Sequence, residues 1–225
     1  MKVTAIVPAA GYGRRMKLKT DKPFIMIRGK EMFCHCLKVL EGISCVSEII
    51  IAAEKKNIDK MKAIVAREGF HKVRHIVVGG SCRGRSVSNA LKVVDIGADF
   101  ILVHDCARPM INKGIVDKTI QAARRYDNTV AAVRVKSTIK QVSGNGCLVA
   151  RTLDRSHLWE AQTPQVFRAD ILKRAYKKAG RSISCFTDDS GIVESAGYKV
   201  RIVPSTYNNI KVTTIEDLVF ARSFE

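Results

Sequence analysis

Acidic residues are scarce. Against 39 Lys and Arg the chain of 225 residues has 21 Asp and Glu, a formal charge of +18, so an anionic partner is expected: a nucleotide, a sugar phosphate or a nucleic acid. Aromatic residues are few as well. At 6% of the chain, with one Trp, they offer little for stacking bases, which counts against an RNA-binding module despite the charge. The seven cysteines, Cys34, Cys36, Cys45, Cys82, Cys106, Cys147 and Cys185, contain no C-x-x-C pair. Their odd number fits reduced thiols better than a disulfide frame. Cys34-His35-Cys36 does not read as a zinc site, because residues i and i+2 point to different sides of a helix and no second ligand pair follows. No apolar run approaches eighteen residues, and the N-terminus leads straight into an apolar strand. Neither a membrane span nor a cleavable leader is therefore expected, and the expected location is cytoplasmic. Linkers, repeats and low-complexity tracts are also missing, so residues 1–225 are read as one domain of ordinary size.

What the chain does have is concentrated at its start. Val3, Ala5, Ile6 and Val7 have the density of a buried parallel strand, and Pro8, which cannot donate to a ladder, is expected to end it. Ala9, Ala10, Gly11 and Gly13 then let the backbone approach a ligand and aim N–H groups at it, and Arg14, Arg15, Lys17, Lys19 and Lys22 bring positive charge. Neither standard phosphate loop is present. G-x-x-x-x-G-K-[ST] is absent, and Gly11-Tyr12-Gly13-Arg14-Arg15-Met16 places Met where a dinucleotide fingerprint has its third glycine. A nicotinamide oxidoreductase is disfavoured on that ground.

Apolar runs alternate with helical periodicity, as in a doubly wound, mostly parallel α/β sheet of Rossmann-like type. Strands are predicted at Val3–Val7, Glu48–Ala53, Arg74–Val78, Phe100–Val103, Thr129–Val135 and Lys199–Val203. Helices are predicted at Glu31–Glu41, Asn57–Glu68, Arg85–Val94, Lys113–Tyr126, Ala169–Ala179, Asp188–Ser195 and Thr214–Phe224. One segment breaks the alternation: Thr138–Val142 and Cys147–Leu153 flank Ser143-Gly144-Asn145-Gly146 and read as a β-hairpin. It is expected to project as an arm at about 136–157 and, having no core of its own, to pack on a second subunit of a homodimer.

Ligands of open parallel sheets bind beyond the carboxyl ends of the strands. Gly79-Gly80-Ser81-Cys82-Arg83-Gly84-Arg85-Ser86 and His104-Asp105-Cys106-Ala107-Arg108-Pro109 occupy such positions. The first suits base or phosphate contacts at a helix N-terminus. In the second, Asp105 can hydrogen-bond a ribose or help hold Mg²⁺, and Arg108 can clamp a phosphate; a plain Asp105–Arg108 loop pair is the alternative. Asp188 and Asp189 are explained as first-turn acids with Thr187 as the N-cap. His104 and His157 read as packing or hydrogen-bonding residues, since nothing beside them resembles an activated nucleophile.

Taken in order, Val7-Pro8-Ala9-Ala10-Gly11-Tyr12-Gly13-Arg14-Arg15-Met16, Lys22, Gly79-Gly80 with Arg83 and Ser86, and His104-Asp105-Cys106-Ala107-Arg108-Pro109 form a recognisable series. It continues with Thr163-Pro164-Gln165, Thr187-Asp188 and Asn209-Ile210-Lys211-Val212-Thr213. Over nearly its whole length the chain resembles the 2-C-methyl-D-erythritol 4-phosphate cytidylyltransferases of the non-mevalonate isoprenoid pathway. The resemblance implies a nucleotide-diphospho-sugar transferase fold, CTP and the methylerythritol phosphate as substrates, a CDP-alcohol and pyrophosphate as products, and Mg²⁺. It implies that Pro8, Ala9, Ala10, Gly11, Gly13, Gly79, Gly80, Arg83, Ser86 and Asp105 form the nucleotide site, with Arg15, Lys22 and Lys211 at the reacting phosphates. Asp105, Arg108, Thr163 and Thr187 would receive the acceptor, joined by Thr138 and Arg155 from the partner's arm, and Asp105 would be the one protein group near the metal. Cys106 stands where the family usually has Ala, and Pro23 where Gln is common; Pro23 should stiffen the chain after Lys22.

The chemistry accounts for the shortage of nucleophiles. A phosphomonoester is already mostly dianionic at neutral pH, so no general base is needed. The obstacle is the mutual repulsion of two anions, about 4 kcal/mol per charge pair at 4 Å and an effective dielectric of 20, and cations must offset it. Ribitol-5-phosphate cytidylyltransferase, with the same loop and another acceptor pocket, is the nearest alternative.

Overall fold

The computed structural model describes residues 1–11, 20–144 and 146–223. In chain order the elements are β1 (Val3–Ala9), the two-residue strands β2 (Met26–Ile27) and β3 (Lys30–Glu31), α1 (Met32–Glu41), β4 (Val46–Ala53), α2 (Ile58–Glu68), β5 (Val73–Val78), α3 (Arg83–Leu91) and β6 (Phe100–Val103). They continue with α4 (Lys113–Tyr126), β7 (Asn128–Arg134), β8 (Ile139–Ser143), β9 (Leu148–Leu153), β10 (Trp159–Arg168), α5 (Ala169–Ala179), α6 (Asp189–Ser195), β11 (Arg201–Pro204) and α7 (Ile215–Ser223). The main sheet has seven strands in the order β5-β4-β1-β6-β10-β7-β11. β1 lies parallel to β4 and β6, β4 to β5, and β7 to β11, whereas β10 runs antiparallel to both β6 and β7.

Side chains alternate across a strand, so β1 feeds two cores. Val3, Ala5, Val7 and Ala9 face one layer, where Phe33 and Leu37 of α1, Met61 of α2 and Ile115 and Ile120 of α4 are buried. Ile6 faces the other, with Val87 of α3, Ile171 and Leu172 of α5 and Ile192 of α6. Helices on both faces make this the doubly wound sheet expected. A third cluster joins Leu218 and Ala221 of α7 to Ile25, Ile27, Met32, Ala107 and Val212. It fixes the segments that carry Lys22 and Lys211.

Pro8 does not end β1, which continues to Ala9 beside Ala53. Ile6 O accepts from His104 N at 2.9 Å, and by the two-residue alternation Pro8 faces that same side, where β6 has already left the sheet at Val103. No ladder donor is missed there.

β10 was not among the predicted strands, although it is central. The segment hides its character: Gln162, Thr163 and Gln165 are buried polar residues, so the apolar alternation fails. The ladder to β7 is irregular between Ala161 and Gln165, a bulge that accommodates Pro164. Elsewhere the differences are small. α3 begins at Arg83, two residues before the predicted start, because Ser86 N closes the first turn onto Cys82 O at 3.0 Å. The β8–β9 hairpin forms its own two-stranded sheet within the segment predicted as an arm, and its side chains are almost all exposed.

Candidate active site

The carboxyl ends of β1, β5 and β6 converge on a cavity of about 320 Å³. Pro8, Ala10 and Gly11 supply the wall from β1, and Gly80, Ser81, Cys82, Arg83 and Ser86 the wall from the β5–α3 turn. Asp105, Cys106 and Ala107 form the floor, while Lys22, Lys211 and Thr213 bring in the two flanking segments. Close approach explains the glycines: a Cβ on Gly79 would lie 2.3 Å from the Ala10 Cβ, and one on Gly80 would lie 2.3 Å from the Arg85 Cβ. A side chain at Gly79 would push the β5–α3 turn away from the β1 loop, and one at Gly80 would push it away from α3. Ser86 Oγ accepts from Gly80 N at 3.0 Å and donates to Cys82 O at 3.1 Å, holding the turn against the N-terminus of α3, whose dipole favours an anion in the cavity.

Both Lys22 and Lys211 sit on fixed backbone. Lys22, Pro23 and Phe24 form a 3-10 turn with Pro23 and Phe24 buried, and Phe24 packs edge-on against Phe33 at 6.0 Å. Beside Lys211, Val212 is fully buried and its N–H donates to Ala107 O at 2.8 Å.

Asp105 is the electrostatic centre. Its Oδ1 accepts from Arg83 Nε at 2.7 Å, and its Oδ2 lies 2.6 Å from Lys211 Nζ. Burial opposes its charge, but Arg83 and then Lys211 outweigh that and hold the carboxyl well below the usual range. The side chain does not pair with Arg108. Arg83 Nη1 lies 2.8 Å from Asp189 Oδ2, and Asp189 Oδ1 accepts from Tyr176 Oη at 2.5 Å. Burial alone would depress the Arg83 pKa, yet Asp105 and Asp189 raise it well above its ordinary value. Its Nη2 is buried without a partner among the described residues. Cys106, pushed up to about 12 by burial, is an inert thiol.

A second cavity of about 260 Å³ adjoins the first and shares Lys211 with it. Arg108, Glu160, Ala161, Gln162 and Tyr207 are among its lining residues. Arg108 Nη1 donates to Asn209 O at 2.7 Å, and Asn209 Nδ2 donates to Gln162 Oε1 and Thr163 O, each at 2.9 Å. Thr163 lies behind Asp105, accepting the Asp105 N–H at 3.0 Å.

Pro8, Ala10, Gly11, Gly80, Arg83, Ser86, Asp105, Lys22 and Lys211 are thus brought together around one cavity. Ala9 and Gly79 support it from behind, and Arg108 serves the adjoining one. Gly13 and Arg15 lie outside the described residues. Thr138 and Arg155 stand exposed at the base of the hairpin, where Arg155 Nη1 donates to Lys136 O. Thr187 is exposed and is not the cap of α6: Asp188 holds that position, accepting the Gly191 N–H at 3.0 Å. Asp189 is a fully buried counter-ion rather than a solvated first-turn acid. Sequence reasoning also passed over Tyr176 and gave Asn209 and Gln165 no separate role. An acid that follows a capping acid directly and meets a buried Arg from another helix gives no local signal.

A family model described as 2-C-methyl-D-erythritol 4-phosphate cytidylyltransferase matches residues 3–224. The chain belongs to this family. Among curated cytidylyltransferases of that name, the one from Alkaliphilus metalliredigens (strain QYMF) is 44% identical over 222 residues, 98% of this chain and 92% of its own. That of Alkaliphilus oremlandii (strain OhILAs) is 40% identical over 221 residues, covering 98% and 93%. The crystal structure of 4-diphosphocytidyl-2C-methyl-D-erythritol synthase from Anaerococcus prevotii DSM 20548 superposes with a TM-score of 0.85 at 29% identity, covering 99% of this chain and 97% of that one. The fold is therefore that of the solved structures of this family.

Proposed function

We propose that the protein transfers the cytidylyl group of CTP to the phosphate of 2-C-methyl-D-erythritol 4-phosphate, releasing pyrophosphate and making 4-diphosphocytidyl-2-C-methyl-D-erythritol for non-mevalonate isoprenoid biosynthesis. The observation that carries this reading to residues is the placement of Lys211 on the boundary of two adjoining cavities. The larger, glycine-walled one takes the nucleotide; the one beside Arg108 takes the acceptor. Pro8, Ala10, Gly11, Gly80 and Ser86 would enclose cytosine and ribose, Lys22 would lie along the triphosphate, and Arg108 would orient the acceptor, with the buried Thr163 positioning Asp105 from behind rather than touching substrate. Lys211 Nζ, released from Asp105, would meet the phosphate oxygens as charge builds on them, where a cation stabilises the transition state most.

Mg²⁺ fits this site as an ion carried by the nucleotide. Asp105 already has Arg83 on one oxygen and Lys211 on the other, and among the described residues no three His, Cys, Asp or Glu groups come together as a metal cage. Sites that take Mg²⁺ through substrate phosphates and water have this sparse protein share. The ion supplies charge neutralisation on the phosphates.

The proposal includes a cytoplasmic homodimer joined through the hairpin, with Thr138 and Arg155 reaching the partner's acceptor cavity. Val142, Leu148 and Val149 are 46%, 71% and 52% exposed, and Val142 and Val149 are cross-strand neighbours. Val142 and Val149 make an apolar patch on one face of the hairpin, with Leu148 on the other, and these side chains are better buried than left in water. No helix among the described residues is long and apolar enough to cross a membrane.

A pyrophosphate-release assay that pairs each of CTP, UTP, ATP and GTP with methylerythritol phosphate, and CTP with ribitol 5-phosphate, tests the reading. CTP with methylerythritol phosphate is expected to exceed every other pair by at least about tenfold in kcat/KM, as little as 1.4 kcal/mol of transition-state discrimination. Preference for ribitol phosphate would replace the acceptor assignment, and preference for another nucleotide would overturn it.

A further inference from the structure

His104 is fully buried between the two cavities and lines neither. Its backbone N–H donates to Ile6 O at 2.9 Å, tying the end of β6 to β1. Its ring makes two contacts: Nδ1 lies 3.1 Å from Thr163 Oγ1, and Nε2 lies 3.2 Å from Arg108 O. The protons on this path can be assigned by elimination. Arg108 O only accepts, so Nε2 carries the hydrogen. In a neutral ring Nδ1 then accepts, and its donor is the Thr163 hydroxyl, whose oxygen already takes the Asp105 N–H at 3.0 Å. The chain runs in one direction, from Asp105 N–H to Thr163, to His104, to Arg108 O. Every hydrogen on it has an acceptor.

We propose that His104 is a positioning residue whose imidazole spaces three groups: the backbone of Asp105, which lines the first cavity, the Thr163 hydroxyl behind it, and the carbonyl of Arg108, which lines the second. Asp105 in turn holds Lys211, and the Arg108 turn carries the guanidinium that reaches Asn209 O. One ring thereby sets the distance between the lysine of the nucleotide cavity and the arginine of the acceptor cavity. The ring is closed off from both cavities, so it acts through these neighbours and not on substrate. This inference rests on the two-cavity reading of function.

The first test does not depend on activity. Nitrogen-15 chemical shifts of the His104 imidazole in the labelled wild-type protein report its tautomer. A neutral ring protonated at Nε2 is expected at neutral pH, and a ring protonated at Nδ1, or at both nitrogens, would overturn the proposal. The second is kinetic. His104→Phe keeps a ring and removes both hydrogen bonds, taking the acceptor from the Thr163 hydroxyl hydrogen and the imidazole donor from Arg108 O in a buried place. It should lower kcat/KM for the acceptor by ~10-fold to ~100-fold while changing CTP affinity by less than ~3-fold. His104→Gln, which can still donate to Arg108 O, should recover part of the loss. Equal losses for both substrates, or unchanged acceptor kinetics in a folded His104→Phe protein, would contradict the proposal. A wild-type protein inactive with the methylerythritol phosphate would instead remove the function reading and leave the tautomer test standing.

Discussion

Replacing Lys211 with methionine should lower kcat by about 10²-fold to 10³-fold and change CTP affinity only a few-fold. The lysine borders both cavities, and its Nζ lies 2.6 Å from Asp105 Oδ2. Its partner in the structure is thus a protein carboxylate, which on the proposed function would give way to phosphate oxygens during reaction. A group whose strongest interaction forms in the transition state affects turnover more than binding. Methionine keeps the aliphatic stem and removes the charge, and the backbone remains clamped by Val212 N–H on Ala107 O. Asp105 also keeps Arg83. Steady-state kinetics beside equilibrium CTP binding checks this; a variant that binds CTP weakly yet turns over normally would show that Lys211 serves recognition alone.

The largest loss of stability is expected at Asp189. Its side chain is fully buried against Arg83 and Tyr176. Asp189→Ala removes one of the two carboxylates that balance the Arg83 guanidinium, and stripping one partner from a buried ion pair costs about 3–5 kcal/mol. Tyr176, buried and held well above its usual pKa by desolvation and then by Asp189, loses its acceptor at the same time. Replacing Arg83 and Asp189 together with Met and Leu should cost less than Asp189→Ala alone, because no uncompensated charge then remains among them and Asp105 keeps Lys211. Urea unfolding at neutral pH measures both variants. A shift below about 1 kcal/mol for Asp189→Ala would mean that water or a rearranged Arg83 replaces the carboxylate.

Much of the fold was legible because apolar runs were long enough to show their period. α4 and α5 have the predicted boundaries, and β6 does as well. β10 was hidden for the same reason that it matters: its central residues, Gln162, Thr163 and Gln165, are polar, buried and used for hydrogen bonds to the site loops. Binary patterning reads such a strand as a loop. Gly79, Gly80, Asp105, Arg108 and Lys211 were visible from their position after strands and from the family resemblance. Their pairings were not. Which carboxylate would hold Arg83 depends on α3, β6 and α6 meeting in space, residues 83, 105 and 189 being far apart in the chain. The hydrogen-bond direction through His104 is likewise a property of three elements, invisible in any one of them.

On the proposed function, two anions meet at Lys211 and react in one displacement, with no protein nucleophile. Among the groups lining the nucleotide cavity, the buried Cys106 thiol, pushed up to about 12, is unsuited to attack. Stereochemistry at the α-phosphorus decides the point. With CTP chirally labelled as an α-phosphorothioate and methylerythritol phosphate as acceptor, a single in-line displacement predicts inversion in the CDP-alcohol product. Retention would reveal two displacements through a covalent enzyme intermediate and would rule out the single in-line step.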